Sequence, residues 1–373
     1  MPIADPSPVL RLSGRNPPHA FVAPSPAAPA GPPPARVHGT ATGPTDGRLR
    51  RVFMVGCPRS GTTVVQAALS AHAGLLTLPE THFFAHLLGG FDAWLDDDMD
   101  ACRAGWRKRL GLYWRPALHR RIAEEMQGIG HPLGAGYRWR AGWTGRASVR
   151  RFVAGLDEGA RRTGRHGWLE KSPDHIAQVE AIQALCPDAR FIHVLRHGED
   201  VVASAIEGEA RHARERAFSG GIGHWVRRWN RAAAAHLDAA GRPGHLVVLL
   251  EDLIAQPERE IARLCAFLDL PAPVDAGRWE SPGHVADLQR HPWQTGALAQ
   301  GFQTPQRKFE ALFGPQMQSW IRSHLADYPL LRETLAQRQQ ALIAALDGDT
   351  GAVAAARGAA CAGCPHAGTA RTG

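Results

Sequence analysis

The sequence predicts an α/β protein built on a doubly wound parallel sheet. Three features lead to this expectation: short apolar runs alternate with helical stretches, a glycine-containing loop joins the first run to its helix, and both ends of the chain lack apolar periodicity. Alternating strands and helices are typical of a parallel sheet covered on both faces. A chain of 373 residues with 44% hydrophobic residues can form a substantial core.

Each predicted strand is a short, nearly continuous apolar run, as expected of strands buried on both faces. The predicted strands are Arg51–Val55, Gly167–Leu169, Arg190–Leu195 and His245–Leu250. The helical stretches that follow them are Thr62–His72, Asp174–Leu185, Glu199–Glu207 and Glu258–Leu268. Helix-like sequence rich in tryptophan and arginine interrupts this alternation at about 92–157. We interpret that segment as a helical insertion over the ligand-binding edge of the sheet.

The two ends of the chain are predicted to be disordered tails. Residues 1–49 are rich in proline and alanine, and twelve of the 28 prolines of the chain fall within residues 1–44. Residues 346–373 are similarly poor in large apolar side chains. Such segments cannot bury enough apolar surface to fold. The folded domain is therefore expected within 50–345.

Charge and lysine usage indicate an anionic ligand. The formal net charge is +8, and nearly all the positive charge comes from arginine because Lys108, Lys171 and Lys308 are the only lysines. No dense basic run accompanies this charge, which favours an anion pocket over a nucleic-acid surface. The few lysines are candidates for special roles, since an ammonium and a guanidinium are not interchangeable.

The cysteines and the N-terminal sequence favour a cytoplasmic protein. The six cysteines are scattered, unlike a secreted disulfide framework. No apolar signal region or membrane-spanning run is present in the sequence. Cys361, Cys364 and His366 form a CxxC-x-H cluster, but a zinc site usually needs a fourth ligand on a folded frame. We therefore interpret the cluster as part of the tail.

Residues 56–63, GCPRSGTT, lie between the first predicted strand and its helix. Gly56 and Gly61 permit a tight turn, after which amide groups point into an anion at the helix N-terminus. The hydroxyls of Ser60, Thr62 and Thr63 can add hydrogen bonds. The strand–loop–helix context therefore predicts a P-loop-like nucleotide site.

Two departures from the nucleoside-triphosphate loop limit the ligand. Thr62 stands where the phosphate-binding lysine of that loop is expected, and Arg59 is the only cation within the loop. The strand at 190–195 is followed by Arg196, where a magnesium-binding aspartate would be expected. ATP or GTP hydrolysis is therefore disfavoured, and a metal requirement is not predicted.

Taken together, CPRSGTT, PETHFF, EKSP and LRHGEDVVAS resemble the PAPS-dependent sulfotransferases, particularly their tyrosylprotein and bacterial branches. The resemblance covers about Arg51 to Leu270. It implies that the loop binds the 5′-phosphosulfate of 3′-phosphoadenosine 5′-phosphosulfate (PAPS). It also implies that Arg196 and Ser204, an R-x7-S motif, bind the 3′-phosphate.

Sulfuryl transfer needs cations at the departing 5′-phosphate, a base at the acceptor and rigid placement of both. The resemblance implies that Arg59 and Lys171 stabilise the leaving group and that Glu80 is the base. Other sulfotransferase branches use a histidine as the base, so His82 is an alternative. Each of these charges could instead be an ordinary surface or capping group.

The later part of the chain matches the family less closely. Leu250 stands where family members often carry a tyrosine, so an aromatic hydroxyl expected near the cofactor is missing. Arg290 is a candidate for an additional cation over the 3′-phosphate, and Lys308 competes for this role. Either could also be a solvated charge.

The sequence thus predicts transfer of a sulfuryl group from PAPS to a hydroxyl or amine of an acceptor. A small molecule, a glycan, a lipid and a peptide all present such groups, and the sequence does not choose among them or indicate an oligomeric state. A P-loop kinase or NTPase and a non-catalytic nucleotide-binding protein are the alternatives.

Overall fold

The computed structural model of the protein describes residues 48–72, 74–88, 122–123, 140, 142, 144–211, 220–271, 301–302 and 308–341. Several sequence predictions lie outside these residues: both tails with the Cys361, Cys364 and His366 cluster, Arg290, and most of the insertion at 92–157. These remain predictions.

A five-stranded parallel sheet forms the centre of the described residues. Its strands are β1 (Arg50–Gly56), β2 (Leu75–Thr77), β3 (Gly167–Lys171), β4 (Arg190–Leu195) and β5 (His245–Leu249). The spatial order is β2-β3-β1-β4-β5. Because β1 is central, the loop that follows it lies between the carboxyl ends of β3 and β4. Open α/β sheets bind their ligands at such a point, where neighbouring connections diverge.

The helices follow the strands much as the apolar pattern predicts. In chain order they are α1 (Thr62–His72), α2 (Phe83–Leu88), α3 (Gly145–Arg162), a 3-10 helix (Pro173–Gln178), α4 (Val179–Leu185), α5 (Gly198–Arg211), α6 (Gly221–Ala239), α7 (Leu250–Ala255), α8 (Pro257–Phe267), α9 (Phe309–Leu312), α10 (Pro315–His324) and a helix at 328–341.

Helices cover both faces of the sheet, which confirms the doubly wound α/β class. Side chains of β1 alternate between the two faces, as the period of a strand requires. Phe53 packs in a core with Phe152 of α3 and Trp225 of α6. Val52 faces the opposite core, which contains Val65 of α1 and Ile261 of α8.

The structure corrects three details of the predicted elements. Strand β2 was not predicted, because three residues are too few to give a recognisable apolar run. The predicted helix 174–185 begins as a 3-10 helix and becomes α-helical only at Val179. Leu250 begins α7 instead of ending β5.

Candidate active site

The loop between β1 and α1 has the conformation of an anion cradle. A β-carbon at Gly56 would lie 2.5 Å from the Val194 carbonyl oxygen, so only glycine fits beside β4. The Ser60 N–H donates to the Cys57 carbonyl at 3.1 Å and closes the turn. Arg59 has a φ of 76°, a left-handed conformation that is uncommon for residues other than glycine. Such backbone strain is concentrated at functional sites.

Leu250 packs against this loop at Gly61. Gly61 also has a left-handed φ, 85°, and a β-carbon there would lie 2.6 Å from Leu250 Cδ2. Leu250 is 3% exposed. The residue that replaces the expected tyrosine is therefore a packing residue against the loop.

The R-x7-S motif converges on the loop arginine. Arg59 Nε donates to Ser204 Oγ at 3.1 Å, and Arg196 Nη1 donates to the Arg59 carbonyl at 3.3 Å. Burial, together with the charge of Arg196, lowers the pKa of Arg59 to about 10, although Glu207 and Glu80 act in the opposite direction. Two guanidinium charges at one loop favour a bound anion there.

The hydroxyl of Ser60 adds a hydrogen-bonding group to the cradle. Ser60 is completely buried, and its Oγ has no hydrogen-bond partner among the described residues. A buried hydroxyl without a partner is costly unless a ligand oxygen or water completes it. Thr62 and Thr63 follow at the start of α1 and carry two further hydroxyls. These groups fit a phosphate-like anion.

Lys171 reaches the same place from the neighbouring strand. It is the last residue of β3, and its side chain is 1% exposed. Its Nζ lies 2.5 Å from Glu80 Oε1 and 3.5 Å from Thr63 Oγ1. The structure thus places a buried ammonium beside the first turn of α1, although the loop itself lacks a lysine.

Glu80 and His82 belong to a row of alternating charges. His82 Nδ1 lies 3.0 Å from Asp174 Oδ2, and its Nε2 lies 3.4 Å from Glu80 Oε2. Burial raises the pKa of Glu80, but the charges of Lys171 and His82 outweigh it and lower this pKa to about 2. Burial lowers the pKa of His82, but Asp174 and Glu80 outweigh it and raise this pKa well above 6.5.

A completely buried carboxylate, Glu170, organises the segment that carries these residues. It accepts from Thr81 Oγ1 at 2.7 Å and from Ser172 Oγ at 2.6 Å. Its other oxygen lies 3.1 Å from His175 Nδ1. Since His175 Nε2 accepts from the Phe84 N–H at 3.1 Å, the ring proton is on Nδ1 and is donated to Glu170.

Glu170 and Asp174 were not predicted as site residues. Ser172 directly precedes the 3-10 helix but makes no side-chain cap hydrogen bond. Its Oγ instead accepts from the N–H groups of Thr81 and His82, at 3.1 and 3.0 Å. A glutamate inside an apolar strand was the available signal, because a buried charge needs partners.

Lys308 lies beside the helix that carries Ser204. Its Nζ is 2.5 Å from Glu207 Oε2 in α5, one helical turn after Ser204. Its place near the R-x7-S helix is compatible with the predicted role at the 3′-phosphate, which stays a prediction.

Neither a metal site nor a membrane span is found among the described residues. They contain no group of three or more His, Cys, Asp or Glu side chains arranged to hold a metal ion. None of their helices has the length and apolarity needed to cross a membrane.

Known proteins with similarity to this chain include sulfotransferases. Two curated relatives are a Protein-tyrosine sulfotransferase A of Caenorhabditis elegans, 24% identical over 59% of this chain, and a putative protein-tyrosine sulfotransferase of Caenorhabditis briggsae, 28% identical over 59%. The matched segments span 50% and 65% of those two proteins.

Solved structures with similarity include the sulfotransferase domain from the curacin biosynthetic pathway, 17% identical, with a TM-score of 0.42 over 74% of this chain and 97% of that chain. Sulfotransferase STF1 from Mycobacterium tuberculosis H37Rv is 18% identical, with a TM-score of 0.38 over 75% of this chain and 78% of that chain. The profile of the sulfotransferase family matches residues 51–274, more than half of the sequence. The positions of the loop, Glu80, Lys171 and the R-x7-S motif fall within this range. The chain belongs to the sulfotransferase family.

Proposed function

We propose that the protein transfers the sulfuryl group of PAPS to a hydroxyl or amine group of an acceptor. The observation that carries this proposal is the convergence of cations on the loop at 56–63: Arg196 and Ser204 contact Arg59, and Lys171 contacts Thr63. Side-chain cations can stabilise a departing phosphate oxygen without a metal, because a sulfuryl group carries less charge than a phosphoryl group.

The donor would occupy the cradle. The hydroxyls of Ser60, Thr62 and Thr63 and the amide groups at the start of α1 suit its 5′-phosphate. Arg196 and Ser204 suit the 3′-phosphate, since a guanidinium and a hydroxyl both donate to a phosphate monoester. The buried Ser60 Oγ without a partner among the described residues supports an oxygen-rich ligand at this position.

In the proposed reaction, an acceptor oxygen or nitrogen forms a bond to sulfur while the bond from sulfur to the 5′-phosphate oxygen breaks. The acceptor proton passes to Glu80. Arg59 and Lys171 stabilise the negative charge that develops on the phosphate oxygen. Lys171 suits this role because its ammonium is buried and contacts both Thr63 at the cradle and Glu80.

The charge states of the two candidate bases favour Glu80 over His82. Both ring nitrogens of His82 face carboxylates, and its raised pKa keeps the ring protonated, so the ring has no lone pair to accept a proton. Glu80 is ionised and can accept one. Its pKa of about 2 makes it a weak base while Lys171 is bound to it. Movement of the ammonium toward the leaving oxygen would raise this pKa during transfer.

The acceptor class is proposed from the relatives. Because two relatives are named protein-tyrosine sulfotransferases, a tyrosine peptide is the first acceptor to test. Small molecules, glycans and lipids follow as further candidates. The cytoplasm stays the predicted location from the sequence.

A binding measurement separates this proposal from a kinase or NTPase. Adenosine 3′,5′-bisphosphate should bind in the presence of a chelator, whereas a kinase or NTPase should turn over ATP with magnesium. Arg196→Ala should weaken this binding about tenfold to a hundredfold, since a charge-assisted hydrogen bond contributes about 1.5–3 kcal/mol. Arg162→Ala, an exposed arginine of α3, is the matched control and should bind normally.

A transfer measurement then separates an enzyme from a non-catalytic binding protein. The protein is incubated with radiolabelled PAPS and either tyrosine peptides or a cell extract, and mass analysis identifies what gains sulfate. Magnesium-dependent ATP turnover, or binding of the bisphosphate without transfer to any acceptor, would contradict the proposal.

A further inference from the structure

His82 occupies an unusual position between two carboxylates that come from different parts of the chain. Its Nδ1 lies 3.0 Å from Asp174, at the start of the 3-10 helix, and its Nε2 lies 3.4 Å from Glu80. The other oxygen of Glu80 lies 2.5 Å from Lys171. The order is therefore carboxylate, imidazole, carboxylate, ammonium.

The backbone is shaped to hold the ring in this place. His82 has a φ of 46°, in the left-handed region that costs free energy for most residues. Its N–H donates to Ser172 Oγ at 3.0 Å, and Ser172 is in turn bound to the buried Glu170. A strained backbone anchored by a buried carboxylate indicates that the position of the ring matters.

We propose that Asp174 and His82 form a positioning pair for Glu80, in which one imidazolium bridges the two carboxylates and holds Glu80 turned toward Lys171. This inference rests on the proposed function, because it gives Glu80 the role of the base. His82 is a positioning residue: it contacts Glu80, and Glu80 contacts the acceptor.

The charges around His82 favour the imidazolium form. Glu80 and Asp174 face it directly, and the ring of His86 in α2 lies 6.2 Å from its ring. Burial raises the pKa of Asp174, but the charge and the hydrogen bond of His82 outweigh it and lower this pKa, and the charge of Arg228 in α6 acts in the same direction. Lys171 faces Glu80 from the far side.

The pair has a geometric consequence for Glu80. A glutamate side chain has several rotatable bonds, and its orientation toward an acceptor costs conformational entropy. With Oε2 bound to His82, rotation of the carboxylate is restricted, and Oε1 stays near Lys171. The proton is then taken up beside the ammonium that serves the leaving group.

A spectroscopic test measures the protonation of His82 and does not depend on turnover. Long-range proton–nitrogen spectra of protein with 15N-labelled histidine identify the His82 signal by its loss in His82→Asn. Asparagine is suitable here because it adopts left-handed backbone more readily than most residues. We expect both ring nitrogens of His82 to carry protons at pH 7.5, and Asp174→Asn to convert the ring toward the neutral form. A ring that is neutral at pH 7.5 in the unaltered protein, or one insensitive to Asp174→Asn, would overturn the pair.

A kinetic test measures how the pair affects Glu80 as the base. His82→Asn should lower kcat about tenfold to a hundredfold, as misplacement of a reacting group does, with the KM for PAPS within about twofold. Loss of the imidazolium raises the pKa of Glu80, so the acid limb of kcat/KM for the acceptor should move to higher pH. Asp174→Asn should cause a smaller loss that grows as pH rises, because His82 loses its proton more readily without Asp174.

His86→Gln, which alters the neighbouring histidine of α2, is the matched control and should leave both kcat and the pH profile unchanged. A fall in kcat for His82→Asn without a shift of the acid limb would overturn the inference. Glu80→Gln distinguishes an error in the positioning pair from an error in the assignment of Glu80 as the base. If that variant transfers sulfate normally, Glu80 is not the base, while the histidine spectra still decide whether the pair exists.

Discussion

Two clusters in this protein hold histidine rings in different charge states, protonated in one and neutral in the other. At the carboxyl end of β3, His82 lies between Glu80 and Asp174, and its pKa is raised well above 6.5. Between β4, β5 and α6, a second cluster is formed by His193, His236 and His245. We call this second group the core cluster. Its three rings are buried, and burial lowers the pKa of each.

The core cluster is held together by ring–ring contacts. His193 Nε2 lies 3.1 Å from His245 Nδ1, and His193 Nδ1 lies 3.3 Å from His236 Nδ1. His245 Nε2 lies 3.1 Å from Gln183 Oε1. Neutral imidazoles can donate at one nitrogen and accept at the other, so such a cluster needs no net charge.

The comparison shows that the neighbours of a histidine decide its charge. The rings of the core cluster are buried and His82 is partly buried, and removal from water by itself favours the neutral ring. Two carboxylates reverse this preference at His82, whereas no carboxylate among the described residues contacts the core cluster. The first cluster is therefore equipped for proton and charge chemistry, and the second for packing.

The largest expected effect comes from removal of the ammonium at the charged cluster. Lys171→Ala should lower kcat about a hundredfold to a thousandfold, the range found when one stabilising donor is removed from a transition-state site. Binding of adenosine 3′,5′-bisphosphate should change much less, because Lys171 acts on the charge that develops during transfer. Single-turnover transfer and equilibrium binding measure the two effects.

Arg162→Ala again serves as the control for loss of one exposed cation. Unchanged transfer in Lys171→Ala would remove this lysine from the mechanism. Equal losses in binding and in kcat would assign it to donor binding instead.

The next largest effect is expected from neutralising Glu170, the buried carboxylate that anchors the segment carrying Glu80 and His82. Glu170→Gln replaces a carboxylate that receives hydrogen bonds from Thr81, Ser172 and His175. An amide has only one acceptor oxygen, so its NH2 group would face a donor. We expect a loss of about 1–3 kcal/mol in the free energy of unfolding and reduced transfer.

Urea unfolding measures this loss. Glu158→Gln, at an exposed position of α3, is the matched control and should change the free energy of unfolding by less than about 0.5 kcal/mol. A similar small change in Glu170→Gln would mean that the buried carboxylate does not organise the segment.

A smaller effect concerns acid stability and separates the two clusters. The pKa values of His236 and His245 are about 3 and about 4, below the 6.5 of an unfolded histidine. Between these values the unfolded chain binds more protons than the folded one, so stability is lost as pH falls below 6.5. Glu80, with a pKa of about 2, adds its loss only below its ordinary value of 4.5. His82 acts in the opposite sense, because its raised pKa gives a stabilisation that is complete below 6.5 and is lost as pH rises. The fall in the free energy of unfolding from pH 6 to pH 5 should therefore report mainly the core cluster.

His236→Leu should flatten this dependence between pH 7.5 and 5. At pH 7.5 we expect a change of less than about 1 kcal/mol, since leucine is of similar size and removes a buried ring nitrogen, Nε2, that has no partner among the described residues. His324→Gln, at an exposed position of α10, is the control and should keep the slope of the unaltered protein. An unchanged slope in His236→Leu would show that this ring does not cause the loss.

Local features of the sequence predicted the fold and the loop well. The apolar runs of β1 and β4 and the helix Thr62–His72 were predicted almost to the residue, because buried parallel strands and a P-loop-like turn have short-range signals. The motif around Arg196 was recognisable for the same reason. Strand β2 was missed since its three residues carry no pattern.

The sequence by itself determined which residue types reach the sheet edge: a loop without its lysine, Arg59 within it, and Lys171 at the end of another strand. Only the tertiary structure decided how they pair. Lys171 meets Glu80, and His82 meets Asp174, across about ninety residues of chain. Strand order and register set those contacts to within an ångström, and contacts at that distance determine which histidines carry a proton.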